Sequence, residues 1–250
     1  QLLRPPIPLY VPNLLCYARI ILSLISIYTA SLVSVSDRPF NYLLSTAFLW
    51  IVAAGLDHID GKIARRYNQC SDLGVLLDII ADNVLRSCSW IACVVSFTAT
   101  VVKEQKVTST ACMFPVLVVT LISMEWMTML STQLLAMRRD ASHWKEIPSS
   151  AGESTTPWFI ERIFRNNFCN ILGIVTIYGS MACGMVHFLH LQRDVLIEAL
   201  PRIRVLLDIS RWIAYVGRSL AFLAELWFCF DYLRLVVKLD KSKNKNQDIC

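Results

Sequence analysis

Six long apolar segments leave this 250-residue chain few ways to fold. They fall at about 12–34, 40–57, 73–101, 110–136, 168–190 and 209–236. A helix needs about 20 apolar residues to cross the hydrocarbon core of a bilayer. Inside that core the backbone must satisfy its own hydrogen bonds, which a helix does within one segment. The expected fold is therefore an all-α integral membrane protein with six transmembrane helices. Hydrophobic residues make up 55% of the chain and charged residues only 17%, against roughly 25% charged in a soluble domain. The spans use most of the length, so residues 1–250 read as a single polytopic domain, with a flexible Lys-rich tail from about 237.

The start, QLLRPPIPLYVPNLL, is interrupted by prolines and is followed by no small-residue cleavage site. It reads as a short interfacial segment rather than a signal peptide. Lysine and arginine set the orientation. With the N-terminus in the cytoplasm, that side holds fourteen of them, among them Lys62, Arg65, Arg66, Arg138 and Lys145, against six on the other side. Both termini are therefore expected to be cytoplasmic. The net charge of +5 is mostly this bias, and the tail is suited to anionic lipid. No basic stripe alternates with aromatic residues, which excludes a nucleic-acid partner. The nine cysteines include no C-x-x-C pair and read as small apolar residues of membrane helices.

One stretch resists the membrane reading. LDHIDGKIARR, Leu56 to Arg66, follows the apolar FLWIVAAG, and LGVLLDIIADNVL, Leu73 to Leu85, carries two more aspartates. Asp57, Asp60, Gly61 and Ala64 share one helical face, and Gly74, Asp78 and Asp82 stack on one face of the next helix. The segment between them is polar and turn-like, with Ser71 placed to cap the third span. The hairpin thus brings two carboxylate faces together near the cytoplasmic end of the membrane. A solvated loop end would account for Asp57 and Asp60, but not for Asp78 and Asp82 within LLDIIADNVL. A charge at mid-bilayer costs at least about 2.5 kcal/mol, so protonation or a bound cation must relieve the cluster. Oxygen ligands suit Mg²⁺, Mn²⁺ or Ca²⁺. Four carboxylates can hold two such ions, the arrangement that clamps both oxygens of a phosphoryl displacement. Gly61, Ala64 and Gly74 leave room for a flat base or a diphosphate, and Lys62 and Arg65 could meet phosphate oxygens.

The pattern Asp57-x2-Asp60-Gly61-x2-Ala64-Arg65-x8-Gly74-x3-Asp78-x3-Asp82 resembles the signature of the CDP-alcohol phosphatidyltransferase family. It fixes eight positions over 26 residues. YVPNLLCYARI, Tyr10 to Ile20, and NQCSDLGVLLD, Asn68 to Asp78, look most like the eukaryotic phosphatidylinositol synthases of that family. The resemblance implies a transferase of phospholipid biosynthesis that moves a phosphatidyl group from CDP-diacylglycerol to a small polar alcohol, myo-inositol first, and releases CMP. It implies that Asp57, Asp60, Asp78 and Asp82 bind two ions of Mg²⁺ or Mn²⁺, with Asp82 also the general base. Gly61, Ala64, Arg65 and Gly74 would then bind the nucleotide, and Arg138 and Lys145 match basic positions of the acceptor region. It implies an endoplasmic-reticulum membrane location, with the bilayer as partner and a homodimer or membrane-protein complex left open.

The chain also departs from that pattern. Asn83 stands where these synthases carry arginine. Glu125, Thr128, Met129 and Leu130 stand where they carry an aspartate and Ser-His-Trp, and IFRNNFCNILGIV, Ile163 to Val175, replaces a Tyr-rich segment. A second reading therefore stays open, that of an inactive or repurposed relative serving as a membrane subunit of a lipid-handling complex. Outside the motif, His187 and His190 lie one turn apart and read as interfacial polar residues. Glu125, Arg218 and Glu225 are intramembrane charges. Arg218 and Glu225, seven apart on one face, suit either a site or a structural role between helices.

Overall fold

A computed structural model describes residues 6–105, 109–138 and 156–247. Among these residues there are eight α-helices and no strand. They are α1 (Val11–Val33), α2 (Pro39–Arg66), α3 (Asp72–Glu104), α4 (Ser109–Arg138), α5 (Trp158–Phe164), α6 (Ile171–Leu191), α7 (Arg193–Ala199) and α8 (Arg204–Gln247). A 3-10 turn, Ile7–Leu9, leads into α1, and its Ile7 and Leu9 are exposed. Five helices, α1, α2, α3, α4 and α6, are long and apolar enough to cross a membrane, so the protein is a multi-pass membrane protein. The sixth expected segment, 209–236, lies within α8, which is not among them. Arg218 and Glu225 interrupt its apolar run, and Arg211, Asp231 and Arg234 crowd its edges.

Helix ends follow local chemistry. Pro12 and Pro39 sit in the first turns of α1 and α2, where a missing N–H costs nothing. Arg65 and Arg66 occupy the last turn of α2 and offset its dipole. Asn68 then takes the left-handed conformation at φ 52°, and the Gln69 N–H returns to the Ala64 carbonyl at 2.9 Å. This is a Schellman stop built on asparagine. Gln69 also accepts a hydrogen bond from the Val11 N–H at 3.0 Å, tying the α2–α3 turn to the start of α1. Ser71 caps α3 as expected, its hydroxyl accepting from the Gly74 N–H at 3.0 Å.

The chain divides into two compact units. The first comprises Gln1–Ile122 and Met181–Trp212, the second Ser123–Ser180 and Ile213–Cys250. In the first, α1 packs along both α2 and α3, which touch each other little. The inward face of α1 carries Asn13, Cys16, Arg19, Ser23, Ser26 and Ala30, all buried, while Ile21, Leu24 and Tyr28 are exposed. Such a helix turns polar groups inward and apolar groups outward, as a lipid surround favours. Its buried hydroxyls are satisfied within α1 and by α2: Ser23 donates to the Arg19 carbonyl at 2.7 Å, and Ser26 accepts from Trp50 Nε1 of α2 at 2.8 Å. In the second unit α6 and α8 meet at glycines. A β-carbon on Gly179 would collide with the backbone of Gly217 and Arg218, and one on Gly217 with the Val175 carbonyl.

Candidate active site

Four aspartates from two helices converge on one arginine from a third. Helix spacing puts Asp57 and Asp60 on one face of α2, and Asp78 and Asp82 on one face of α3. Between them α1 inserts Arg19, only 1% exposed. Arg19 Nη1 lies 3.0 Å from Asp60 Oδ2 and 2.6 Å from Asp78 Oδ1. Its Nη2 lies 2.8 Å from Asp57 Oδ1 and also pairs with Asp82 Oδ1. Cys16, one turn earlier on α1, donates its thiol to Asp60 Oδ2 at 3.7 Å. Asp60 is the most enclosed carboxylate, with its side chain 8% exposed, and Asp78 the most open at 45%. The cluster is therefore sunk into the first unit on one side and reachable on the other.

The donor set fits a hard divalent cation. Ligand oxygens of Asp57, Asp78 and Asp82 lie within 4.8 Å of one another, as do those of Asp60 and Asp78 with the Cys16 sulfur. Oxygen ligands at this density suit Mg²⁺, Mn²⁺ or Ca²⁺. The Arg19 guanidinium is itself a stand-in cation at the point where the four carboxylates meet. Arg19 is what sequence reasoning missed. Its signal was present, since a lone arginine within the apolar segment 12–34 is an intramembrane charge and such charges mark sites.

The residues expected to make room for a nucleotide differ in surroundings. A β-carbon on Gly61 would meet only the tip of Arg65, at 3.7 Å, so that surface is open. Ala64 is half-buried and Arg65 exposed. Gly74 is crowded: a β-carbon there would lie 2.9 Å from Asn13 Oδ1 and 3.2 Å from Ser71 Oγ. Asn13 is fully buried, and its Nδ2 donates to the Ile7 carbonyl at 2.7 Å. Beside the cluster, the buried Asn83 accepts a hydrogen bond from Arg86 one turn on. A guanidinium thus reaches position 83 from position 86.

Of the other singled-out residues, His187 and His190 belong to the first unit, and Glu125, Arg138, Arg218 and Glu225 to the second. His187 packs its ring against Phe114 and Trp90, at 5.4 and 6.2 Å between centroids, and His190 contacts Arg211. Among the described residues neither joins a group that could hold a metal. In the second unit Arg218 forks onto Glu225 with two 3.0 Å bonds and lies 3.3 Å from Glu125. Arg138 is the last, exposed residue of α4, and Lys145 lies outside the described residues.

Comparison with known proteins bears on the same segment. A family model described as CDP-alcohol phosphatidyltransferase matches residues 9–190. A CDP-diacylglycerol--inositol 3-phosphatidyltransferase of Saccharomyces cerevisiae is 36% identical over 75 residues, 29% of this chain and 29% of that protein. The Drosophila melanogaster protein of the same description is 38% identical over 74 residues, 30% of this chain and 29% of its own. The human one is 38% identical over 80 residues, 32% and 33%. The match thus spans about a third or less of the length of each of these relatives. No solved structure matches the chain significantly. With the family model covering most of its length and four aspartates converging within the matched region, the chain belongs to the CDP-alcohol phosphatidyltransferase family.

Proposed function

We propose that this protein transfers the phosphatidyl group of CDP-diacylglycerol to the hydroxyl of a small polar alcohol, myo-inositol, and releases CMP. The observation that carries the reading is the convergence of Asp57, Asp60, Asp78 and Asp82 from two helices at one point. The relatives described as inositol phosphatidyltransferases support the choice of acceptor. The family uses divalent metal ions, and two ions of Mg²⁺ or Mn²⁺ at such a site would neutralise the diphosphate and the leaving phosphate. In this reading Asp57, Asp60 and Asp78 hold the ions, with Asp82 completing the set. Asp82, one turn beyond Asp78 on the same face of α3, takes the proton of the incoming hydroxyl. The hydroxyl oxygen bonds to the phosphorus that bears diacylglycerol, the bond to the bridging oxygen breaks, and CMP leaves with the electron pair. The open surface over Gly61, with Ala64, Gly74 and Arg65 nearby, receives the nucleotide. Arg138 and Lys145 serve the acceptor region.

Residues 1–250 act here as one membrane domain of the endoplasmic reticulum, with the aspartate cluster and both termini on the cytoplasmic side. The test is CMP release by purified protein given CDP-diacylglycerol, Mn²⁺ or Mg²⁺, and a panel of alcohols. Turnover with inositol establishes the reading. Binding of the CDP-lipid without CMP release for any alcohol refutes transfer. It would leave the altered acceptor positions, Glu125 to Leu130 and Ile163 to Val175, as marks of a repurposed relative.

A further inference from the structure

Arg19 has no part in the reaction as proposed, yet it touches every carboxylate of the site. Nη1 bridges Asp60 of α2 to Asp78 of α3, and Nη2 bridges Asp57 of α2 to Asp82 of α3. Two guanidinium nitrogens that share one positive charge, each set between a carboxylate of one helix and a carboxylate of the other, resemble with one side chain the layout of a two-cation site. The geometry points to Arg19 as a tethered counter-cation. It holds the four aspartates together in the metal-free protein and gives up the same oxygens when divalent ions load. This inference rests on the metal site of the proposed function.

Three observations carry it. The first is exclusion. Ligand oxygens of Asp57, Asp78 and Asp82 lie within 4.8 Å of one another, and a hard cation needs its oxygens at about 2.0–2.6 Å. A guanidinium nitrogen pairs with one oxygen of each of these carboxylates, so it competes with an ion for them, and the two positive charges repel. The second is packing. α2 and α3 touch each other little and each packs on α1, and among the described residues the side chain that bridges the carboxylates of α2 to those of α3 comes from α1. The third is incomplete satisfaction: Arg19 Nε is buried and has no hydrogen-bond partner. The seat suits the two nitrogens that face carboxylates, and not the arginine as a whole.

Exclusion has a sign that a purely structural arginine lacks. Removing the charge should weaken the metal-free protein and tighten metal binding. A structural arginine would lower stability equally with and without metal, and one that helped to hold the ions would weaken their binding. The experiment uses the full chain in detergent as wild type, Arg19→Gln and Arg19→Lys. Mn²⁺ affinity is read from the free-ion paramagnetic resonance signal, and melting temperature is read in chelator and in millimolar Mn²⁺. Arg19→Gln is expected to melt lower in chelator and to bind Mn²⁺ roughly 5–150-fold more tightly, the range of ordinary coupling between sites. Arg19→Lys should fall between, since one ammonium cannot bridge both carboxylate pairs. If Arg19→Gln folds only when purified in Mn²⁺, its affinity is measured by competition with chelator, and Arg19→Lys gives the sign by itself. Unchanged or weaker Mn²⁺ binding in both variants overturns the exchange while leaving the metal site standing. No Mn²⁺ binding by any of the three proteins overturns the metal site and the exchange with it.

Discussion

At Asp82 and Asp78 one helical turn separates two different tasks. Both face the cluster from α3, but in the proposed reaction Asp78 only holds charge while Asp82 also accepts a proton. An alcohol is a weak nucleophile at neutral pH, and a positioned base contributes roughly 10²–10⁴-fold. Asp82→Asn should therefore reduce CMP release by about that factor and keep much of the CDP-lipid binding. Asp57→Asn and Asp78→Asn should lose both, because the diphosphate then lacks its clamp. Equal loss of binding and turnover in all three variants, measured by lipid co-purification and CMP release, would remove the separate role of Asp82. The faces that carry these aspartates were legible in the sequence because a helix fixes which residues three and four apart align. Arg19 was not, because its role depends on which third helix packs between the other two, and spacing within one helix says nothing of that. Asn83 is a similar case. Read alone, it is a lost arginine, and only the turn geometry shows Arg86 reaching back to it.

The α2–α3 turn shows how an element sets a site. Two carboxylate pairs on separate helices meet only if α2 stops and α3 starts at fixed places, and the polar turn supplies both signals through Asn68 and Ser71. Ser71→Ala should cost about 1 kcal/mol of stability, as lost serine caps do, read as a lower melting temperature in detergent with CMP release per folded molecule preserved. An unchanged melting temperature would mean the cap is dispensable. Gly74 sits inside the same turn of α3. A methyl group there would lie 2.9 Å from Asn13 Oδ1, pressing on a buried amide that anchors the chain before α1. Overpacking of this kind costs typically about 1–3 kcal/mol. Gly74→Ala should therefore destabilise the protein more than Gly61→Ala, whose added methyl meets only the tip of Arg65. If Gly61→Ala instead abolishes CDP-lipid binding while the fold holds, the open surface over Gly61 is the nucleotide seat. From the sequence both glycines read alike, as residues without bulk. Their difference lies in whether α1 passes over them, a fact of packing.

Across the whole molecule, the number of membrane crossings decides which side each loop faces. Five crossings put the start of α1 and the end of α8 on opposite sides, and six put them on the same side. Five helices qualify by length and composition, and α8, whose apolar run holds Arg218 and Glu225, is not among them. Those charges do not stand alone. Arg218 forks onto Glu225 with two 3.0 Å bonds and lies 3.3 Å from Glu125, and bidentate pairs of this geometry are the strong ones. A segment that carries its own counter-charge avoids much of the penalty that an isolated charge would meet in lipid. The glycine contact of Gly179 with Gly217 is also the small-residue packing that membrane helices favour. Composition sees the charges of α8, and the fold sees that they are paired. A sixth crossing is therefore expected, and it is testable on residues the protein already exposes. Cys70 lies in the α2–α3 turn and Cys169 before α6, both exposed, and both fall on the expected cytoplasmic side. In sealed vesicles, with the remaining cysteines replaced by serine, an impermeant maleimide should label Cys70, Cys169 and a cysteine placed by Lys241→Cys from the same side. A cysteine placed by Arg202→Cys, just ahead of α8, should be labelled only from the other. If Lys241→Cys is labelled together with Arg202→Cys, then α8 does not cross, and the two ends of the chain face opposite sides of the membrane.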